Sequence, residues 1–137
     1  MITIGIDVSK AKIDCLWLRD VVTGKVKSKV FKNTAKGHSE LLQWAMKNAN
    51  VEPDEIHFTM EATGIYHEAL AYALYEAGAH VSVVNPAQIS SFGKSFGVRS
   101  KTDKKDSMVI ARYGASQQPL LWQPEPSEIR TLKAIIS

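Results

Sequence analysis

"MITIGIDVSKAKIDCLWLRDVVTGKVKSKVFK", residues 1–32, reads as three strands in succession. In its first segment Ile2, Ile4 and Ile6 fall on one face and Thr3, Gly5 and Asp7 on the other, the period of two that a strand with one buried side shows. "KIDCLWL", residues 12–18, follows after a short gap, and "KVKSKVFK", residues 25–32, follows the turn signal Thr23-Gly24. Lys25, Lys27 and Lys29 share one face of the third run, which marks it as a water-facing strand at an edge of the sheet. Three strands on short links predict an antiparallel meander.

Beyond residue 32 the period changes. "SELLQWAMKNA" places Leu41, Leu42, Ala45 and Met46 at helical spacing, with Asn33 or Thr34 available as an entry cap. "EIHFTME" returns to a strand, with Ile56, Phe58 and Met60 on one side and His57, Thr59 and Glu61 on the other. "YHEALAYALYEAG" predicts a helix stopped by Gly78, and "HVSVVNP" a strand ended by Asn85-Pro86. A short helical stretch over 87–96 and a break at Gly97 lead to "RSKTDKKDSMVIARYG", residues 99–114. There Val109, Ile110 and Tyr113 recur at helical spacing after Asp106, and the stripe extended backward sets Asp106 and Asp103 on the inward face.

A meander, a helix and then strand–helix–strand predict an α/β domain with a mixed five-stranded sheet. Right-handed crossovers put the fourth strand parallel to the first and beside it, giving the order 3-2-1-4-5. This resembles the ribonuclease H-like arrangement. Residues 1–118 are expected to form that domain. Residues 119–137 then read as a proline-punctuated linker and the start of a helix, "SEIRTLKAIIS", capped by Ser127. Its apolar stripe of Ile129, Leu132 and Ile136 stops after barely three turns, which predicts a truncated helix leading to a missing C-terminal region.

At 137 residues and 45% hydrophobic, the chain has the means to build one real core. Its net charge of +3 permits nucleic acid as a partner, and the excess is local: between Lys94 and Arg112 six Lys or Arg face two acids, Asp103 and Asp106. The single cysteine, Cys15, excludes an internal disulfide framework and reads as a small buried hydrophobe. His38, His57, His67 and His80 show no ligand spacing for zinc. Without a membrane-length apolar run or a signal-peptide pattern, the chain is expected to be soluble and cytoplasmic.

In the predicted sheet Asp7 ends the first strand and Glu61 the fourth, so both acids emerge at the same edge, where α/β sheets place their ligands. Asp103 and Asp106 on an inward helical face would complete a cluster of four carboxylates. Each acid alone has an ordinary structural role: Asp7 can turn to water, Glu61 can cap the next helix, and the helical pair can complement a dipole. Together they would repel and raise one another's pKa unless a divalent cation intervenes. Oxygen-only donors suit Mg²⁺ or Mn²⁺, and a two-ion site would activate a nucleophile and stabilise the leaving oxygen of a phosphodiester. Lys94, Arg99, Lys101, Lys104, Lys105 and Arg112 would then hold a nucleic-acid backbone against the metals.

Four blocks, "IGIDVSKAKID", "MEATGIYHEALAYALYEAG", "VSVVNPAQISSF" and "RSKTDKKDSMVIARYG", resemble in order the motifs of the DEDD-type insertion-sequence transposases, a family that includes Piv-type DNA invertases. The N-terminal domain of that family is similar to the RuvC Holliday-junction resolvase, and the likeness covers nearly the whole chain. The resemblance implies an acidic tetrad at Asp7, Glu61, Asp103 and Asp106, a Mg²⁺ or Mn²⁺ cofactor, and DNA as the substrate. For the full-length protein it implies a serine-bearing C-terminal domain, a guide RNA and a homo-oligomer, in a prokaryotic cytoplasm and with no membrane partner. The expected function is the N-terminal catalytic domain of a transposase or site-specific recombinase that cuts and rejoins DNA. A standalone RuvC-like junction nuclease and a non-catalytic nucleic-acid-binding module are the alternatives. The sugar-kinase and actin-like ATPases share only the short "IGIDVSK" pattern, and the glycine-rich phosphate segments they need do not occur in this sequence.

Overall fold

In the computed structural model, residues 1–62, 64–95 and 106–124 are described. The chain runs β1 (Ile2–Val8), β2 (Lys12–Leu18), β3 (Val26–Lys32), α1 (Ala35–Ala49), a 3₁₀ turn (Pro53–Glu55), β4 (Ile56–Glu61), α2 (Glu68–Glu76), β5 (His80–Val84), α3 (Pro86–Ser95) and α4 (Asp106–Gln117). The strands form one sheet in the order β3-β2-β1-β4-β5. β1 and β2 pair antiparallel, as do β2 and β3, whereas β4 runs parallel to β1 and to β5. This is the mixed ribonuclease H-like sheet that the sequence predicts.

Alternation decides what each face meets. Ile4, Ile6, Ile13, Cys15, Ile56, Phe58, Met60 and Val81 point to one side and pack with Leu41 and Ala45 of α1 and Leu70 and Leu74 of α2. Excluding this apolar surface from water is the main stabilising term, roughly 2 kcal/mol for each large side chain buried. α1 starts where Thr34 Oγ1 accepts a hydrogen bond from the Gly37 amide at 3.0 Å, fixing Thr34 rather than Asn33 as the cap. Cys15 is fully buried, and burial pushes its thiol well above the ordinary range, as befits a hydrophobe and not a nucleophile. On the edge strand, Lys29 lies over the Phe31 ring and Lys27 bonds Asn48 of α1.

α4 covers the opposite face, and its approach is unusually close. A Cβ on Gly5 of β1 would overlap the backbone of Ala111 and Ser107, and one on Gly114 of α4 would overlap the Thr59 side chain. Gly5 therefore lets the α4 backbone rest directly on β1, and Gly114 leaves room under the helix for the Thr59 side chain. The innermost stripe of α4 is consequently Ser107, Ile110, Ala111 and Gly114, all buried. Val109 and Ile110 pack toward Ile89 and Phe92 of α3, and Tyr113 is only partly buried against them. This rotates the helix from the expected stripe: Asp106 stands exposed at the helix start instead of facing inward.

Residues 119–124 lie along β5 and α2. The Trp122 amide donates to the Val81 carbonyl at 2.6 Å, and Ser82 Oγ donates to the Pro119 carbonyl at 3.2 Å. The Trp122 ring meets Tyr72 and Tyr75 edge-on at 4.9 and 5.9 Å. The helix expected from Ser127 onward and the break at Gly97 lie outside the described residues.

Candidate functional site

β1 and β4 are in register with Ile6 beside Met60. One residue further, Asp7 and Glu61 leave the carboxyl ends of neighbouring parallel strands on the α4 side of the sheet, with strand axes about 4.8 Å apart. Glu61 is not the cap of the helix that follows, because α2 begins at Glu68 with His67 at its N-cap position. On the other side of β1, Asp14 of β2 stands directly opposite Asp7 and on the same face. Asp106 begins α4, where a negative charge complements the helix dipole.

These charges are felt at Asp7. Its carboxyl is pushed from an ordinary 3.8 up to about 6, first by burial and then by the charges of Asp106, Glu61 and Asp14. Burial and like charges act in the same direction here, since both disfavour the ionised form. Asp14 adds a second sign of unmet demand: its Oδ1 is shut off from solvent and has no hydrogen-bond partner among the described residues. No group of three or more His, Cys, Asp or Glu among the described residues forms a ready cage for a metal ion. What they supply is a set of carboxylate oxygens whose charges disfavour ionisation of Asp7, a condition that a hard divalent cation would relieve.

The loops after the two acidic strands are tied together by Asn33. Its Nδ2 donates to the carbonyl of Ser9, just past Asp7, at 2.9 Å, and to that of Tyr66, past Glu61, at 3.0 Å. Its Oδ1 is 2.7 Å from His38 Nε2, and burial holds the His38 pKa below its ordinary value, so the neutral ring donates to Asn33. One amide thus fixes both loops against α1. Sequence reasoning treated Asn33 only as a possible cap and did not single out Asp14.

The remaining expected site residues divide. Asp103, Arg99, Lys101, Lys104 and Lys105 lie outside the described residues. Lys94 is exposed in the last turn of α3. Arg112 is half-buried on α4 and reaches toward the β2–β3 turn, where its Nη2 would sit 2.9 Å from a Cβ on Gly24. That turn adjoins Leu18, which pairs with Thr3 near the start of β1, so Arg112 lies toward the opposite end of the sheet from the acids.

A family model described as Transposase, of the DEDD type, matches residues 4–137. The pilin gene-inverting protein of Moraxella bovis is 36% identical over 133 residues, which are 97% of this chain and 40% of that protein. The chain therefore spans well under half the length of this relative. Among solved structures, Thermus thermophilus RuvC matches with a TM-score of 0.57 at 16% identity, covering 89% of this chain and all of that one. T. thermophilus RuvC in complex with a Holliday junction substrate matches with a TM-score of 0.55 at 17% identity, over 89% of this chain. At such identities the likeness is one of fold.

Proposed function

The chain belongs to the DEDD transposase family, and from that premise we propose that it is the N-terminal catalytic domain of a transposase or site-specific DNA recombinase that cuts and rejoins DNA. One observation carries the reading. In a RuvC-like sheet, burial and then the charges of Asp106 opening α4, Glu61 ending β4 and Asp14 on β2 raise a single carboxyl at the end of β1, Asp7, to about 6. A structural acid gains nothing from such surroundings, whereas a metal ligand does.

Asp7, Glu61 and Asp106, with Asp103 from the adjoining segment, are the residues that would hold Mg²⁺ or Mn²⁺. When bound, such ions supply Lewis acidity toward a phosphodiester and neutralise the charge that develops on its oxygens. The chain's own part is to fix the oxygen donors on rigid elements: two on adjacent strands, one on a helix pinned by Gly5 and Gly114, and the intervening loops on Asn33. Lys94, Arg99, Lys101, Lys104 and Lys105 would hold the DNA backbone, contributing salt-dependent affinity without base preference. Arg112 points elsewhere and fits a structural role better.

DNA as the partner is supported by the junction substrate bound to the RuvC neighbour, and recombination by the gene inversion named for the Moraxella relative. For the whole protein the reading extends to a guide RNA, homo-oligomerisation, a serine supplied by a C-terminal domain and a cytoplasmic location. No helix among the described residues is long and apolar enough to cross a membrane. The test is a recombination assay on the full-length protein carrying Asp7→Asn, Glu61→Gln, Asp103→Asn or Asp106→Asn. Lost activity with folding and DNA binding intact supports catalysis by the four acids. Full activity in any one variant removes that residue from the site.

A further inference from the structure

Asp14 is the one acid at this edge that the four-carboxylate reading leaves unused. It lies across the antiparallel pair from Asp7, and directly opposed side chains on one face have Cβ atoms about 5 Å apart. Its neighbours on that face of β2 are unlike it: Leu16 and Leu18 are buried against Ala111 of α4. The strand thus changes from apolar packing to a carboxylate at the level of Asp7. Asp14 Oδ1 is sealed from water and has no hydrogen-bond partner among the described residues, although a buried carboxylate oxygen ordinarily secures one. The side chain as a whole is only partly buried, so its other oxygen can face the site. An unpaired carboxylate oxygen sealed from water ordinarily costs stability rather than adding it.

We propose that Asp14 is a positioning residue of the metal site, a fifth carboxylate that accepts hydrogen bonds from water carried by the divalent ion at Asp7 and so fixes where that ion sits. The inference rests on the metal-dependent reading above and adds a residue outside its tetrad. Partners of this kind orient ligands and commonly change metal affinity tenfold or more when removed. Asp14 is suited to the task because β1 and β2 hold it rigidly against Asp7, whereas Asp106 arrives on a separate helix.

The experiment measures Mn²⁺ binding to the 137-residue chain by electron paramagnetic resonance of the free ion, alongside thermal unfolding without divalent ions. Wild type is compared with Asp14→Asn, Asp14→Ser and Asp7→Asn. Asn keeps the shape and removes the charge; Ser guards against a new bond from the Asn amide. Both Asp14 variants should bind Mn²⁺ about five- to tenfold more weakly than wild type, while unfolding without metal at the same or a higher temperature. Asp7→Asn should bind more weakly still. Unchanged Mn²⁺ affinity in both Asp14 variants, with affinity lost in Asp7→Asn, overturns the role of Asp14 and leaves the metal site standing. A lower unfolding temperature in both Asp14 variants makes the carboxylate structural and likewise overturns it. No Mn²⁺ binding by wild type, with or without DNA, overturns both readings.

Discussion

Replacing Asp7 by Asn should make the metal-free domain more stable and, under the proposed function, abolish recombination by the full-length protein. Between its ordinary pKa of 3.8 and its folded value of about 6, the Asp7 carboxyl binds a proton more readily in the folded state than in the unfolded one. Folding is therefore penalised as pH rises through that window, and the penalty is fully present above it. The gap of roughly two pH units at about 1.36 kcal/mol each sets a ceiling near 3 kcal/mol. Asp7 is only about half buried, and solvent screening brings the expected gain to about 1 kcal/mol. For a domain of this size that is a rise of about 3–5 °C in the unfolding midpoint. The assay is thermal unfolding with chelator at about pH 7.5 and again at about pH 2.5, below both pKa values, where Asp7 is protonated in both states and the two proteins should converge. Adding Mg²⁺ or Mn²⁺ at neutral pH should then favour wild type, because an ion bound only to the folded state stabilises in proportion to its affinity. The reasoning fails if Asp7→Asn is the less stable protein at neutral pH without metal. It fails equally if the gap is the same at acid pH.

Gly5→Ala places a methyl group against the backbone of Ala111 and Ser107, neither of which can rotate aside, so it should cost about 3 kcal/mol in denaturant unfolding and displace α4 with Asp106; a loss below about 1 kcal/mol would mean that α4 seats differently. Asn33→Ala leaves the Ser9 and Tyr66 carbonyls without their donor and should lower stability by about 1–2 kcal/mol, read from the same unfolding curves, and weaken Mn²⁺ binding as the two loops separate. The triple variant Lys101→Ala, Lys104→Ala, Lys105→Ala should bind many DNA sequences more weakly to a similar degree and flatten the dependence of affinity on salt; an unchanged salt slope would move the interface elsewhere.

The sheet was legible because its strands announce themselves by alternation and its links are short. Ile2, Ile4 and Ile6 must face a core, the first three strands can only meander, and a right-handed return through α1 leaves one place for β4. That much puts Asp7 beside Glu61. The orientation of α4 was not legible, for a definite reason. Hydrophobic periodicity gives weight to Val109, Ile110 and Tyr113, whereas the face that meets the sheet is Ser107, Ile110, Ala111 and Gly114. Close approach selects small residues, which such a pattern hardly registers, and the partner that makes it possible, Gly5, lies about a hundred positions away. Asp106 consequently acts on Asp7 from the helix terminus rather than from a buried stripe. Asp14, by contrast, was within reach of counting. With β1 ending at Val8 and β2 starting at Lys12, a short symmetric turn pairs Val8 with Ile13 and therefore Asp7 with Asp14. The signal lies in the register, not in any motif.

What remains is why the fold sets Asp14, Glu61 and Asp106 where their charges act on Asp7. Had these acids served stability, each would be expected to meet a donor or a cation, because a buried oxygen left unpaired costs about 1–3 kcal/mol. Instead Asp14 Oδ1 is unpartnered among the described residues, and Asp7 is held partly against ionisation. Several other polar groups are paired: Thr34 caps α1, Asn33 uses both its amide hydrogens and its oxygen, and Trp122 returns a hydrogen bond to β5. Among the described residues, the neutral hydroxyls of Thr59, beneath α4, and Ser107, on it, are the other buried side-chain polar atoms without a partner. Asp14 is the acid whose buried oxygen is left unpaired, and it stands at the edge beside Asp7. A cation at that edge would turn mutual repulsion into shared attraction. The free-energy cost in the empty domain and the affinity of the loaded one then arise from the same arrangement of carboxylates.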